Sequence, residues 1–302
     1  MTVTPAAAFT TETIDTRPAR EDCAIYTAEV LANTSLSANL RRITLYCPSF
    51  TSLHLTGPDE FFGLFMPQPG QEYIPLPTFE GGNIRAHASA IPEQLRPHLR
   101  WYTVRHFDQK AGTLEFDVAT HGVTPVKLAS SDDRIGPGLR WALTATPGST
   151  VGLFTAHGLW QNNHSRQLLI GDATAAPSIW SIVEFQEALH PGGLGDMHVV
   201  ITAENTEDTE PGRAGASDHD WADSLGSYHV VSVPQEQQAG AVDELLRSAR
   251  AEAAPLSAVD YVWVCGEQAL AKGVRNQVVK DWGVDPKDVF FCPYWIAGRP
   301  RL

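Results

Sequence analysis

Hydrophobic and polar positions follow two different rhythms along this chain, and the change falls around Gln161-Asn162-Asn163. Before it, apolar and polar residues alternate in short runs punctuated by Gly and Pro, the pattern of half-buried antiparallel strands. The run 26–46, folded about Asn33-Thr34-Ser35, and the run 61–66, closed by Pro67-Gln68-Pro69-Gly70, are two cases. Arg100-Trp101-Tyr102-Thr103-Val104-Arg105 alternates as well. Period-2 geometry sends Arg100 and Tyr102 to one face and Trp101, Thr103 and Arg105 to the other. The turn Asp108-Gln109-Lys110-Ala111-Gly112 then leads into Leu114-Glu115-Phe116-Asp117-Val118, which reads as the hairpin partner. Short strands continue to residue 154 and suit an antiparallel barrel. Residues 71–98, with their scattered Pro and Gly, read as an extended loop.

Beyond the change, a strand over 167–170 precedes a helix over 177–189, with Pro177 in its first turn and Pro191-Gly192-Gly193 stopping it. Strands over 197–203, 227–233, 260–264 and 289–295 are interleaved with helices over 239–253 and 268–282. The last helix carries Leu270, Val274 and Val278 at i, i+4 and i+8. The acidic stretch 205–220 reads as a surface loop in place of a helix. Strands alternating with helices predict a five-stranded parallel sheet covered on both faces. The expected fold class is therefore β + α/β: a flexible leader over 1–20, an antiparallel β-barrel domain over 21–163, and an α/β domain over 164–302.

Composition narrows the partners. The 302 residues are 43% apolar and 19% charged, an ordinary globular mixture long enough for two domains. The formal net charge of −13 argues against nucleic acid and against anionic membrane surfaces. Twelve Asp or Glu against three Arg in 197–260 place that acidity in the second half. Cys23, Cys47, Cys265 and Cys292 show no C-x-x-C spacing, and the eleven histidines form no H-E-x-x-H, so no metal site and no disulfide framework are expected. Thiols without an export signal point to a cytoplasmic protein, and no apolar run is long enough to span a membrane.

The Arg100–Arg105 stretch carries the first chemistry. Guanidinium groups suit phosphate oxygens, a phenol ring can stack on a flat heterocycle, and a threonine hydroxyl can bond a ring nitrogen. A flavin dinucleotide needs all three, although an edge strand with solvated arginines has the same pattern. His121-Gly122 follows the hairpin, and Gly136-Pro137-Gly138-Leu139-Arg140-Trp141-Ala142 opens a helix whose free N–H groups suit a pyrophosphate. Gly171-Asp172-Ala173-Thr174-Ala175-Ala176-Pro177 is a strand–loop–helix junction, by spacing alone a capped helix start. Cys265-Gly266-Glu267 lies just past a strand's carboxyl end, where open α/β sheets bind ligands. Tyr294-Trp295 stands near the terminus.

This ordered set resembles the siderophore-interacting proteins, the FAD-dependent ferric-siderophore reductases within the ferredoxin–NADP reductase superfamily, from about Arg41 to the C-terminus. The resemblance implies that Arg100, Tyr102 and Thr103 hold FAD, with Tyr102 stacked on the isoalloxazine, and that Arg105 takes phosphate or ribose. It places His121 and Gly122 along the flavin, Gly136, Pro137 and Trp141 at the pyrophosphate, and Tyr294 and Trp295 beside the flavin pocket. Gly171, Asp172, Thr174 and Ala175 become the nicotinamide-nucleotide loop, with Ala173 where the family tends to carry glutamate. Cys265, Gly266 and Glu267 then face the nicotinamide.

The implied activity is oxidation of NADH or NADPH, transfer through FAD, and reduction of a ferric siderophore with release of iron(II). A reductase of free flavin or of an electron carrier on the same architecture remains open, as does a siderophore-binding protein without turnover. No acid–base catalytic residue is expected, and a monomer is compatible with the sequence. Glu204, after the second α/β strand, leans towards NADH, while Arg213 in the adjoining loop could reverse that preference. Thirteen residues separate Gly122 from Gly136, more than the family usually has. Their Lys127 and Arg134 either supply positive charge to an anionic chelate or form a surface loop neutralised by Asp132 and Asp133.

Overall fold

The computed structural model describes residues 20, 23–77, 81, 83–124, 128, 135–161, 166–209 and 221–299. They build two compact units, divided in sequence between Gly158 and Leu159. Only Arg20 of the expected leader is among the described residues.

In the first unit the described strands are β1 (Ile25–Ser35), β2 (Leu40–Tyr46), β3 (Phe61–Met66), β4 (His98–Thr103), β5 (His106–Asp108), β6 (Thr113–Ala119) and β7 (Thr150–Thr155). They pair antiparallel in the order β4-β3-β7-β1-β2-β6-β5. Alternation does the sorting. Leu114, Phe116 and Val118 of β6 join Ile43, Leu45, Val30, Leu64 and Phe62 in one buried core, while Thr113, Glu115 and Asp117 alternate to the opposite face.

The chain itself forces this sheet to curl. Strands β4 and β5 form its opposite edges, yet only Val104 and Arg105 lie between them. Laid flat at about 4.8 Å per strand, the edges would stand nearly 30 Å apart. Two intervening residues reach only about 11 Å. The sheet therefore rolls until its edges meet, and the two residues become the seam. Val104 N–H donates to the carbonyl of Glu60, just before β3, at 2.8 Å, and Arg105 N–H donates to the carbonyl of Glu115 on β6 at 2.7 Å. A β-bulge between Val30 and Ala32 adds local bend. The expected strand over 100–105 thus ends at Thr103, because the next two residues must turn from one edge to the other.

The expected loop over 71–98 is corrected in part. It contains the helix α1 (Ile84–Ser89), started by Asn83, whose Oδ1 accepts from Arg85 N–H at 2.9 Å and Ala86 N–H at 3.4 Å. Ile84 and Ala88, one turn apart, pack on the outside of the sheet with Phe65, Tyr73, Leu99 and Phe154. Six residues are too few for helical periodicity to stand out among flanking Pro and Gly. A second helix, α2 (Pro137–Thr144), packs Trp141 and Ala142 into the barrel core.

In the second unit β8 (Gln167–Asp172), β9 (Met197–Ala203), β10 (Ser227–Ser232), β11 (Tyr261–Glu267) and β12 (Val289–Trp295) form a parallel sheet in the order β10-β9-β8-β11-β12. Helix α3 (Ala176–Leu189) follows β8, α4 (Gln235–Ala251) precedes β11, and α5 (Gln268–Lys280) joins β11 to β12. The chain moves outward from β8 to β10 and then returns to the other side of β8. Right-handed crossovers place α3 on one face and α4 and α5 on the other for that reason. Val242, Leu246, Leu270 and Val274 from α4 and α5 share one core with Leu168, Ile170, Val262 and Val264. Strands β8 and β9 are buried along their whole length, as a sheet covered on both faces requires. No helix among the described residues is long and apolar enough to cross a membrane.

Candidate functional site

Two candidate ligand positions emerge, one in each unit. In the first, β4 carries His98, Arg100 and Tyr102 on one face, and the head of α2 lies against it. Gly136 is the N-cap of α2, Pro137 occupies its first position, and no side chain caps the free N–H groups. Gly138 makes the approach possible. A methyl group there would stand 2.8 Å from Tyr102 Oη and 3.1 Å from Arg100 Cγ, closer than packed atoms allow. Uncapped amides, a glycine without side chain and a guanidinium thus converge. That combination favours an anion.

The phenol of Tyr102 belongs partly to the core. Its ring lies 5.0 Å from Phe116 and 6.4 Å from Phe62, and Phe116 in turn stacks on Trp141 at 6.5 Å with a 10° interplanar angle. Burial pushes the Tyr102 hydroxyl up to about 12 against the opposing pull of Arg100, so it stays a neutral donor near pH 7. The His98 imidazole is shifted down, first by burial and then by the Arg100 charge, which favours its neutral form. Arg100 Nη1 donates to the Leu99 carbonyl at 2.7 Å.

Thr103 and Arg105 are buried, at 7% and 2% exposure, so neither side chain lies open on the surface. His121 and Gly122 form the turn after β6, with Val123 N–H donating to the Thr120 carbonyl at 2.9 Å. Both central residues have positive φ, 49° and 69°, the geometry of a type I′ turn. A non-glycine residue held there, as His121 is, marks a position fixed by its surroundings.

A cavity of about 650 Å³ opens beside α2. Pro137, Arg140, Trp141 and Thr144 line it at i, i+3, i+4 and i+7, facing the loop after β3 and His98. Sequence reasoning assigned no role to Gly138, His98 or Arg140. The period-2 spacing of His98 with Arg100 and Tyr102 was the available signal for one of them. Lys127 and Arg134 lie outside the described residues, as does Arg213.

In the second unit, the order of strands reverses between β8 and β11, and ligands bind at the carboxyl ends beside such a reversal. Gly171, Asp172, Thr174, Ala175, Cys265, Gly266 and Glu267 all fall there. Helix α3 starts at Ala175 without a side-chain cap, leaving its first N–H groups to the loop or a ligand. Cys265 is fully buried. Gly266 adopts φ 125°, and a Cβ on it would stand 2.7 Å from the Asp172 carboxyl, so only glycine fits.

Two acidic residues in this group have work within the protein. Glu267 caps α5 through Oε2, which accepts from Ala269 N–H and from Leu270 N–H at 3.3 Å, while its Oε1 accepts from Ala297 N–H at 3.2 Å. Asp172 accepts from Thr174 N–H at 2.9 Å and Thr174 Oγ1 at 2.5 Å through one oxygen, and from Glu267 N–H at 2.6 Å and Trp295 Nε1 at 2.9 Å through the other. Burial raises its pKa, and these donors pull the other way. Tyr294 Oη lies 3.1 Å from Ser178 Oγ in the first turn of α3.

Residues 29–159 match the siderophore-interacting FAD-binding domain and residues 164–298 match the siderophore-interacting protein family. A ferric vibriobactin reductase, ViuB of Vibrio cholerae, is 24% identical over 275 residues, which cover 87% of this chain and 86% of that protein. A siderophore utilization protein from T. fusca superposes with a TM-score of 0.68 at 21% identity, covering 95% of this chain and 98% of that one. A ferredoxin NADP+ reductase from Neisseria gonorrhoeae with bound FAD and NADP shares the fold at a TM-score of 0.56 and 14% identity, covering 90% and 99%. Matched in both of its units and built on a ferredoxin-reductase-like fold, the chain belongs to the siderophore-interacting FAD-binding family.

Proposed function

We propose that this protein oxidises NADH or NADPH and, through FAD, reduces a ferric siderophore so that iron leaves as iron(II). The observation that carries the reading is the uncapped, glycine-bearing head of α2 pressed against Arg100 and Tyr102. Arg100 and the amides after Gly136 would hold the FAD pyrophosphate. Tyr102, Thr103, Arg105, His121 and Gly122 would orient the rest of the flavin half, and the cavity along Pro137, Arg140 and Trp141 has room for the adenosine half. At the reversal between β8 and β11, the amides opening α3 with Thr174 and Ala175 would receive the nucleotide phosphates. Cys265 and Gly266 would then stand near the nicotinamide, with Tyr294 and Trp295 alongside.

When bound, FAD would supply the link between a two-electron hydride donor and one-electron iron(III). Iron(II) carries less charge and is softer, so hard oxygen ligands hold it less tightly. The protein's own tasks are to bind, orient and desolvate, and no residue needs to ligate iron. Lys127 and Arg134 are proposed on sequence grounds to counter the −13 net charge for an anionic chelate.

The test is spectroscopic. Protein purified or reconstituted with FAD should show flavin absorbance that bleaches anaerobically with NADH or NADPH and returns on adding a ferric siderophore, as a chelator traps iron(II). Failure to retain FAD would end the reading. Recovery with free flavin alone, and not with any ferric siderophore, would assign a different acceptor.

A further inference from the structure

The carboxyl ends of β8, β11 and β12 converge on one buried side chain. Asp172 is 3% exposed, and its two oxygens meet four donors, which fill the lone-pair positions a carboxylate offers. The donors come from three separate places. Thr174 belongs to the loop entering α3, the Glu267 amide follows Gly266 on β11, and the Trp295 indole ends β12. Gly266 has been shaped to this contact, since its φ of 125° and missing Cβ bring the peptide against the carboxyl.

A side chain whose acceptor positions are all taken has none left for a nucleotide. We propose that Asp172 is a positioning residue, a buried clamp that fixes the Thr174 loop, the Gly266 peptide and the Trp295 indole as one rim around the nicotinamide-nucleotide position. The assignment rests on the reading that this rim receives the nucleotide, and it changes the residue's part in that reading. Asp172 acts through its neighbours and touches no ligand. Trp295 becomes the residue presented, and Asp172 the one that sets its angle.

Alanine tests this role, because it removes both oxygens at once. Asparagine would not: its amide can turn to Thr174 and donate to the hydroxyl, which accepts as well as donates, leaving its oxygen on the Glu267 amide and the Trp295 indole.

The experiment uses the full chain loaded with FAD. Trp295 supplies one of eight indole N–H resonances, identified as the one missing in Trp295→Phe. Its hydrogen exchange should be slow in the wild type and about tenfold faster or more in Asp172→Ala. The half-saturating NADH or NADPH concentration for anaerobic flavin bleaching should rise about tenfold in the same variant, with FAD affinity unchanged. Trp295→Phe keeps an aromatic ring and loses the indole donor, so it should shift half-saturation the same way, and it serves if Asp172→Ala does not fold. An indole N–H equally protected in Asp172→Ala would overturn the clamp. A lost protection with unchanged half-saturation would overturn the link to the nucleotide. If the wild type is bleached by neither nucleotide, the proposed reaction fails, while the exchange rate still decides the clamp.

Discussion

At the head of α2 the gathered groups are a guanidinium, a neutral phenol and uncapped amides, whereas at the carboxyl ends of β8 and β11 the central group is a carboxylate ringed by the protein's own donors. The first position leaves its donors to be met from outside, and an anionic cofactor is the natural complement. In the second the central carboxylate is satisfied before any ligand arrives, and the uncapped amides opening α3 remain for a phosphate. Binding and folding should therefore be coupled in the barrel unit, where FAD acts as a stabilising ligand, and nearly separable in the α/β unit.

The sharpest way to break this contrast is Arg100→Ala. Losing a charge-assisted contact of about 1.5–3 kcal/mol should weaken FAD by about one to two decades. The apo-protein should melt nearly as before, because the Arg100 guanidinium donates to the carbonyl of the adjacent Leu99, a contact within its own strand. An unchanged FAD dissociation constant would remove Arg100 from the site.

Gly138→Ala sharpens the same point at a cost in apo stability. Alanine is the better helix former, but its Cβ would crowd the buried Tyr102 Oη and Arg100 Cγ, so apo stability should fall by about 1 kcal/mol. The same Cβ would push against Tyr102 Oη, and FAD affinity should fall by about one decade. Titration of both apo-proteins with FAD checks the pair, and equal affinities would mean that α2 does not frame the cofactor.

On the α/β side, Glu204 is exposed just past β9, where its Oε1 accepts weakly from Gln235 N–H at 3.4 Å. An acidic group there repels a 2′-phosphate. NADH should be the preferred donor, and Glu204→Gln should narrow the preference by less than about tenfold, as befits an exposed charge. Steady-state kinetics with both donors decide this, and a strong NADPH preference in the wild type would refute it.

The smallest expected effect is on acid stability. The Glu115 carboxyl on the barrel is held below its usual range, chiefly by a hydrogen bond from His106 at 2.9 Å and further by Arg42 and Thr44, against the opposing cost of burial. A carboxylate depressed in the folded state stabilises above its unfolded pKa and loses that contribution as pH falls through the folded value. Glu115→Gln should flatten the acid side of the barrel's stability profile slightly, since its side chain is 32% exposed. Parallel acid-melting curves for the two proteins would contradict the assignment.

What could be read in the sequence follows from what is local. Strands and the change of rhythm were legible because period-2 and period-3.6 patterns are set by neighbours along the chain. The motif residues of the α/β site were legible because they sit at strand ends. The arrangement of Asp172 was not, since two of its partners lie 95 and 123 residues away. Gly138 looks like a mere helix-start glycine until β4 is placed against it. Helix α1 failed for the converse reason, being too short for its own pattern.

The seam at Val104 and Arg105 has a consequence for how the barrel assembles. Joining two sheet edges is usually the entropically costly last act of closure, because edge strands tend to be far apart along the chain. Here the two edges are tethered by two residues, so their meeting is local once each has found its inner neighbour. The cost moves elsewhere. Strand β7 must enter between β1 and β3, bringing Val151 to Ala28 and Leu153 to Leu64. Those are the high-contact-order pairings, and they set the pace of folding. A chain cut open at the seam would put β1, β2 and β3 on one piece and β6 and β7 on the other, so those slow pairings would themselves become bimolecular.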